Sequence, residues 1–149
     1  MDRRRALLAG GDKGLPIYKK GAKAWLNVEE ATLNMSSMTV TFNSDNVEVK
    51  AGGSGYNYYV LLKISQSVYG KYSKLVFKAV ASAVASATSI IWTTSKPAPG
   101  APPSGEQAKL TTSLQEYSID ISGESGDRYI QILPHGKNYI ITIYDMHFE

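Results

Sequence analysis

Along most of the chain, apolar and polar residues alternate with a period of two, the pattern of strands that bury one face. Met38–Asn43 sets Met38, Val40 and Phe42 on one side. The turn cluster Asn43–Ser44–Asp45–Asn46 follows, and Val47 and Val49 open a second strand, so the pair reads as a hairpin. Beyond the glycine-rich segment Ala51–Gly55, Tyr56–Ile64 directs Tyr58, Val60, Leu62 and Ile64 one way. Lys74–Ala81 aligns Leu75, Phe77 and Ala79, and Thr88–Thr93 is β-branched and carries Trp92. Glu116–Ile121 turns Tyr117, Ile119 and Ile121 inward, and Arg128–Leu133 does the same with Ile130 and Ile132. Asn138–Phe148 is a long final strand that bends or bulges near Asp145.

Three segments need a different reading. Ala79–Thr88 is rich in alanine, a strong helix former, but has no charged residue and no wide apolar stripe. It reads as the end of one strand, a turn of small residues and the start of the next. Lys96–Gly105 holds four prolines and two glycines and forms an extended surface loop. Val28–Asn34 reads as one helical turn. About eight short strands separated by turn signals predict an all-β fold: an antiparallel β-sandwich, or jelly-roll, over residues 15–149, preceded by an extended arm over residues 1–14. No glycine-rich phosphate loop joins a strand to a helix, and no internal repeat is visible.

Composition supports one folded domain: 149 residues, 43% hydrophobic and 19% charged. Cysteine is absent, which excludes disulfides, thiolate metal sites and cysteine nucleophiles. No apolar run approaches the roughly 20 residues that cross a bilayer. Arg3–Arg5 followed by Ala6–Leu7–Leu8–Ala9 imitates the start of a signal peptide, but the apolar part is too short and Gly10–Gly11 ends it. The charge is divided unevenly. Residues 1–23 carry seven basic and two acidic groups, which leaves nine basic and eleven acidic groups for the rest. The body therefore has no broad nucleic-acid-binding face, whereas the arm suits an acidic surface.

Catalytic patterns are missing. His135 and His147 do not form a metal-ligand pair, and no Gly-x-Ser-x-Gly elbow occurs. Glu106, Glu116, Asp120, Glu124 and Asp127 fall in turns or at outward strand positions rather than as facing carboxylates. The protein is therefore expected to be no enzyme and to need no cofactor. Asn43–Asn46 and Glu124–Asp127 offer oxygen ligands of the kind a structural calcium ion uses, although ordinary turn chemistry accounts for both. The aromatic residues carry more meaning. Tyrosine and tryptophan present an apolar face to sugar C–H groups and a polar tip to hydroxyls. Tyr56, Tyr59, Trp92 and Tyr129, with His135 in its Pro134–Gly136 turn, are the candidate contacts for a glycan or a protein partner.

The arm's Arg-Arg-Arg-Ala-Leu-Leu resembles the start of structural proteins from phages and prophages of Firmicutes. Ile17–Gly21, Val47–Val49, Tyr72–Phe77, Glu116–Ile121 and Ile143–Glu149 are similar to segments of their small β-sandwich modules. That resemblance implies a jelly-roll like carbohydrate-binding modules and galactose-binding-like domains, displayed on a virion as a tail, baseplate, fibre or capsid-decoration component. It implies assembly in the host cytoplasm without a signal peptide, other virion proteins as partners, and a homo-oligomer such as a trimer. Arg3, Arg4, Arg5, Leu7 and Leu8 would anchor the arm, and a cell-surface carbohydrate is a candidate ligand of the body. The alternative expectation is a secreted carbohydrate-binding module.

Overall fold

The computed structural model describes residues 14–149. The anchor residues Arg3, Arg4, Arg5, Leu7 and Leu8 lie outside that range. Among the described residues the chain forms strands β1 (Leu15–Tyr18), β2 (Glu30–Asn34), β3 (Thr39–Phe42), β4 (Val47–Lys50) and β5 (Tyr59–Ile64). A single helical turn, α1 (Gln66–Tyr69), follows. The remaining strands are β6 (Lys74–Ala81), β7 (Ser89–Thr93), β8 (Glu106–Lys109), β9 (Gln115–Asp120), β10 (Arg128–Leu133) and β11 (Ile140–Phe148).

These strands build two antiparallel sheets. The larger runs β9–β6–β11–β4–β3, with β1 paired to β11, and the smaller runs β2–β5–β10–β7–β8. The chain passes between the sheets repeatedly, as in a jelly-roll, and the sequence expectation of a β-sandwich holds. Val60, Leu62, Ile64, Ile90, Trp92, Ile130 and Ile132 from the smaller sheet meet Val47, Val49, Leu75, Phe77, Ile143, Met146 and Phe148 from the larger. A cluster of rings closes one end. Tyr69 and Phe148 both lie edge-on to Trp92, at centroid distances of 5.1 and 5.9 Å. The Tyr69 hydroxyl donates to the Gly126 carbonyl at 2.5 Å and ties α1 to the loop before β10.

Strand β11 carries the expected bulge, a register shift between Ile143 and Asp145 against β6. One extra residue there keeps Ile141 and Ile143 on the core side before it, and Met146 and Phe148 on the core side after it. The opposite face of the strand then receives Asp145 and His147, with Glu149 just beyond the strand's end.

Residues 28–34 depart from expectation. They do not form a helical turn; residues 30–34 are the edge strand β2. The Glu29 amide donates to the Lys63 carbonyl at 2.8 Å, and the pairing continues from Glu30↔Lys63 to Asn34↔Tyr59. Ladder bonds offered by β5 outweigh a local helical preference that one turn is too short to exploit. Strands β1 and β8 had no sequence signal. The first is only four residues long, and the second (Glu-Gln-Ala-Lys) is mostly polar and held by its pairing to β7.

Candidate functional site

Strand alternation puts a second set of side chains on the outer face of the smaller sheet. Tyr59, Leu61, Ile91, Leu133 and Ala87 form an apolar cluster separate from the sandwich core, and Tyr56 and Tyr129 pack against it. Three of the proposed contact tyrosines thus share one surface. His135 joins them: it stacks on Tyr56 with ring centroids 4.7 Å apart and planes 17° from parallel. Its backbone holds a left-handed φ of 66°. Its Nδ1 accepts the Ala87 amide at 3.1 Å, so the neutral ring carries its proton on Nε2. Burial pushes the His135 pKa down, which favours this neutral form.

Trp92 lies elsewhere. It is 2% exposed and belongs to the core side of β7, with its indole Nε1 donating to Glu124 Oε1 at 2.6 Å. The same carboxylate oxygen accepts from Arg128 Nε at 2.8 Å. A recess of about 320 Å³ beside the indole is lined by Thr94, Ser104, Glu106 and Glu124. Because Glu124 is already committed to two donors, the recess offers no free pair of carboxylates.

The outer face of the smaller sheet is covered, although it looks away from the sandwich core. Ile91, Leu133, Ser89 and Gln131 are all fully buried. The cover is the proline-rich segment at residues 94–105. It leaves β7 after Thr93, which pairs with Tyr129, itself opposite Lys63 near the end of β5. Its Gly100 amide donates to Asn57 Oδ1 at 2.6 Å, and Asn57 precedes the opposite end of β5. The segment therefore runs from β7 past β10 to the far end of β5. The inner face is filled by the core, so the path lies over the outer one. Pro97, Ala101 and Pro103 are half-buried along it. At its return to β8, Gly105 has φ 105°, and a Cβ there would collide with the Trp92 carbonyl.

Gln131 lies beneath this strap, opposite Leu61 on one side and Ile91 on the other. Neither its Oε1 nor its Nε2 has a hydrogen-bond partner. An unpaired buried polar group costs about 1–3 kcal/mol, so the arrangement is unfavourable as it stands. Alternation places this amide between Tyr129 and Leu133. Sequence reasoning missed Gln131; its signal was a polar residue flanked by Ile130 and Ile132 in a strand whose outward positions are otherwise Tyr129 and Leu133. At the margin, Lys63 Nζ sits 3.2 Å from Glu29 and 3.8 Å from Asp127, and its hydrogen bond to Glu29 raises its pKa.

The outer face of the larger sheet is different in kind. Lys74, Lys78, Glu116 and Asp120 extend into solvent there. His147 is flanked along the chain by two carboxylates, with Nδ1 2.5 Å from Asp145 Oδ2 and Nε2 2.8 Å from Glu149 Oε2. The Asp145 hydrogen bond in particular raises its pKa above the ordinary value of 6.5. The carboxylates sit on opposite edges of the ring, so they do not converge on one ion. Among the described residues no group of three His, Asp or Glu side chains is placed to hold a metal. In the Asn43–Asn46 turn, Asn43 Nδ2 donates to Asn46 Oδ1 at 2.9 Å, which is turn chemistry. No described helix is long and apolar enough to cross a membrane.

No protein-family model matches the chain, and no curated protein matches it. Solved structures do. A carbohydrate-binding module of family 29 superposes with a TM-score of 0.57 at 12% identity, covering 90% of this chain and 86% of that one. A point variant of such a module, complexed with mannohexaose, gives 0.56 at 12% identity over 91% and 89% of the two chains. Another, complexed with cellulohexaose, gives 0.55 at 13% over 89% and 88%. These likenesses lend nothing to a phage or prophage origin. What the chain shares with the family 29 modules is their fold, a two-sheet antiparallel β-sandwich over nearly the whole of both chains.

Proposed function

We propose that the protein is a non-catalytic carbohydrate-binding module whose ligand is a neutral glycan chain. The observation that carries this reading is the gathering of Tyr56, Tyr59, Tyr129 and His135 on one sheet face around an unpaired amide. Flat amphipathic rings suit the C–H faces of sugars, and an amide offers one donor side and one acceptor to hydroxyls. Neighbours in fold that hold mannohexaose and cellulohexaose point to linear hexose chains as the first probes. The larger sheet's face, crowded with solvated charge, suits such a ligand poorly. No observation on the described residues favours the virion role, whose anchor lies outside them.

Titration calorimetry against mannohexaose and cellulohexaose tests the proposal. Saturable binding is expected, weakened about two- to tenfold by Tyr129→Ala and by Tyr59→Ala, the loss of one stacked ring being worth about 0.5–1.5 kcal/mol. Trp92→Phe, which alters a core ring, is expected to leave affinity within about twofold. A broad panel of neutral glycans with no binding at millimolar concentration would overturn the reading.

A further inference from the structure

Resting on the glycan-binding reading, we infer that the proline-rich strap at residues 94–105 is a latch. Closed, it hides Gln131 and the tyrosine face; open, it hands the Gln131 amide to a pair of sugar hydroxyls. Three independent features lead there.

The first is the amide itself. Gln131 is fully buried and both of its polar ends are unpaired. Its neighbours across the sheet, Leu61 and Ile91, supply no polar group. A side chain needed only for packing would be satisfied by a methionine or leucine of similar volume. A glutamine held here without partners fits a ligand that brings both a donor and an acceptor, as adjacent sugar hydroxyls do. A charged ligand would have to shed its hydration into an apolar cluster with no counter-ion, so the ligand is neutral.

The second is the composition of the cover. Pro97, Pro99, Pro102 and Pro103 have no amide hydrogen, so much of the strap cannot donate to Gln131 Oε1 or to the sheet beneath. A segment that packs without ladder bonds separates from a sheet more readily than a strand does. Proline also keeps the released strap extended, which limits the entropy that closing again must remove.

The third is the hook. The Gly100 amide, at a left-handed φ of 71°, reaches Asn57 Oδ1 at 2.6 Å. Asn57 is itself fixed, its carbonyl accepting from Asn34 Nδ2 at 2.7 Å on the neighbouring edge strand. One side-chain oxygen thus holds the far point of the strap. The strap's return is fixed at Gly105, against the end of β7, so the free travel lies between Thr93 and Gly105.

The chain has no cysteine, so a single introduced thiol reports exposure cleanly. The reporters are Ile91→Cys and, should that variant fold poorly, Thr93→Cys, both at covered positions of the same face. Labelling of the full chain by a small thiol reagent is expected to run faster than global unfolding. It should accelerate about tenfold on adding Asn57→Ala, as expected if the hook holds the closed state. In the cysteine-free chain, Asn57→Ala should tighten hexasaccharide binding several-fold, because a smaller share of molecules is closed. Gln131→Met should abolish binding and, because it removes the unpaired amide from the closed state, should slow the labelling of a reporter. Labelling no faster than global unfolding, with or without Asn57→Ala, would overturn the latch and leave the glycan reading to its own titration. Fast labelling that Asn57→Ala accelerates, with no hexasaccharide or other neutral glycan bound, would instead overturn the glycan reading and the ligand assigned to Gln131.

Discussion

The two outer faces of the sandwich start from the same rule and end as opposites. On the larger sheet, the residues that alternate with the core are Lys74, Lys78, Glu116, Asp120 and the His147 trio, whose polar groups meet water or each other. On the smaller sheet, the equivalent positions hold Tyr59, Leu61, Ile91 and Leu133, and a strap must cover them. An antiparallel sandwich needs only one buried face per sheet, so the larger sheet is the ordinary case. Strand β7 is buried at every position and β5 at all but Lys63, like strands enclosed on both sides. A sheet that places apolar side chains on its outer face, and leaves an amide unpaired among them, carries a cost in stability there that the larger sheet does not.

The sharpest way to break this contrast is to remove matched side chains from the two faces. Ile91→Ala should cost about 2–4 kcal/mol in urea unfolding, as a fully buried core truncation does. Lys78→Ala, on the open face, should stay within about 0.5 kcal/mol. Equal effects would mean that the strap does not enclose the smaller sheet's face in solution.

Gln131→Met follows in size. Replacing the unpaired amide by a chain of similar length should stabilise the fold by about 1–3 kcal/mol, seen as a higher denaturation midpoint at unchanged slope. A loss of stability would show that the amide is satisfied in solution. Together with the loss of binding expected of the same variant, a gain would separate the residue's contribution to folding from its contribution to recognition.

Much of the sandwich could be read from the sequence because alternation is local. Tyr58, Val60, Leu62 and Ile64 reveal the inward side of β5 by spacing alone. The bulge near Asp145 was legible too, since Ile141, Ile143, Met146 and Phe148 share a core face only if one residue is extra. The edge strand β2 was not, because its Ala31 and Leu33 remain exposed and only the partner strand's backbone makes it a strand. The candidate site was half legible. Tyr56, Tyr59 and Tyr129 stood out as amphipathic rings, but nothing local places them on one surface. Trp92 looked similar in sequence and lies on the opposite side of its sheet. The strap read as a surface loop because its prolines signal extension, not destination; only the Gly100–Asn57 bond shows where it goes.

The two histidines give the smallest effect and the finest form of the comparison, for each belongs to one face and they titrate with opposite sign. His147, on the open face, has a pKa raised above 6.5, first by its bond to Asp145 and then by Glu149. On that strand's neighbours it faces Val76 of β6 and Pro16 of β1, with Lys74 and Lys78 flanking Val76 in alternation on β6. Protonated His147 is favoured by the folded state. Its contribution is therefore fully present below pH 6.5 and is lost as the pH rises through the raised value. His135, on the covered face, has a pKa lowered from 6.5 by burial. Its neutral ring belongs to the folded state, so its contribution is present above pH 6.5 and is lost as the pH falls through the lowered value. Unfolding midpoints measured across this range should slope down on both sides of about pH 6.5. His147→Gln should flatten the alkaline side only, and His135→Gln the acid side only. If His135→Gln flattened the alkaline side instead, the imidazole at the rim of the tyrosine face would be charged rather than neutral, and the Ala87 amide would have no acceptor there.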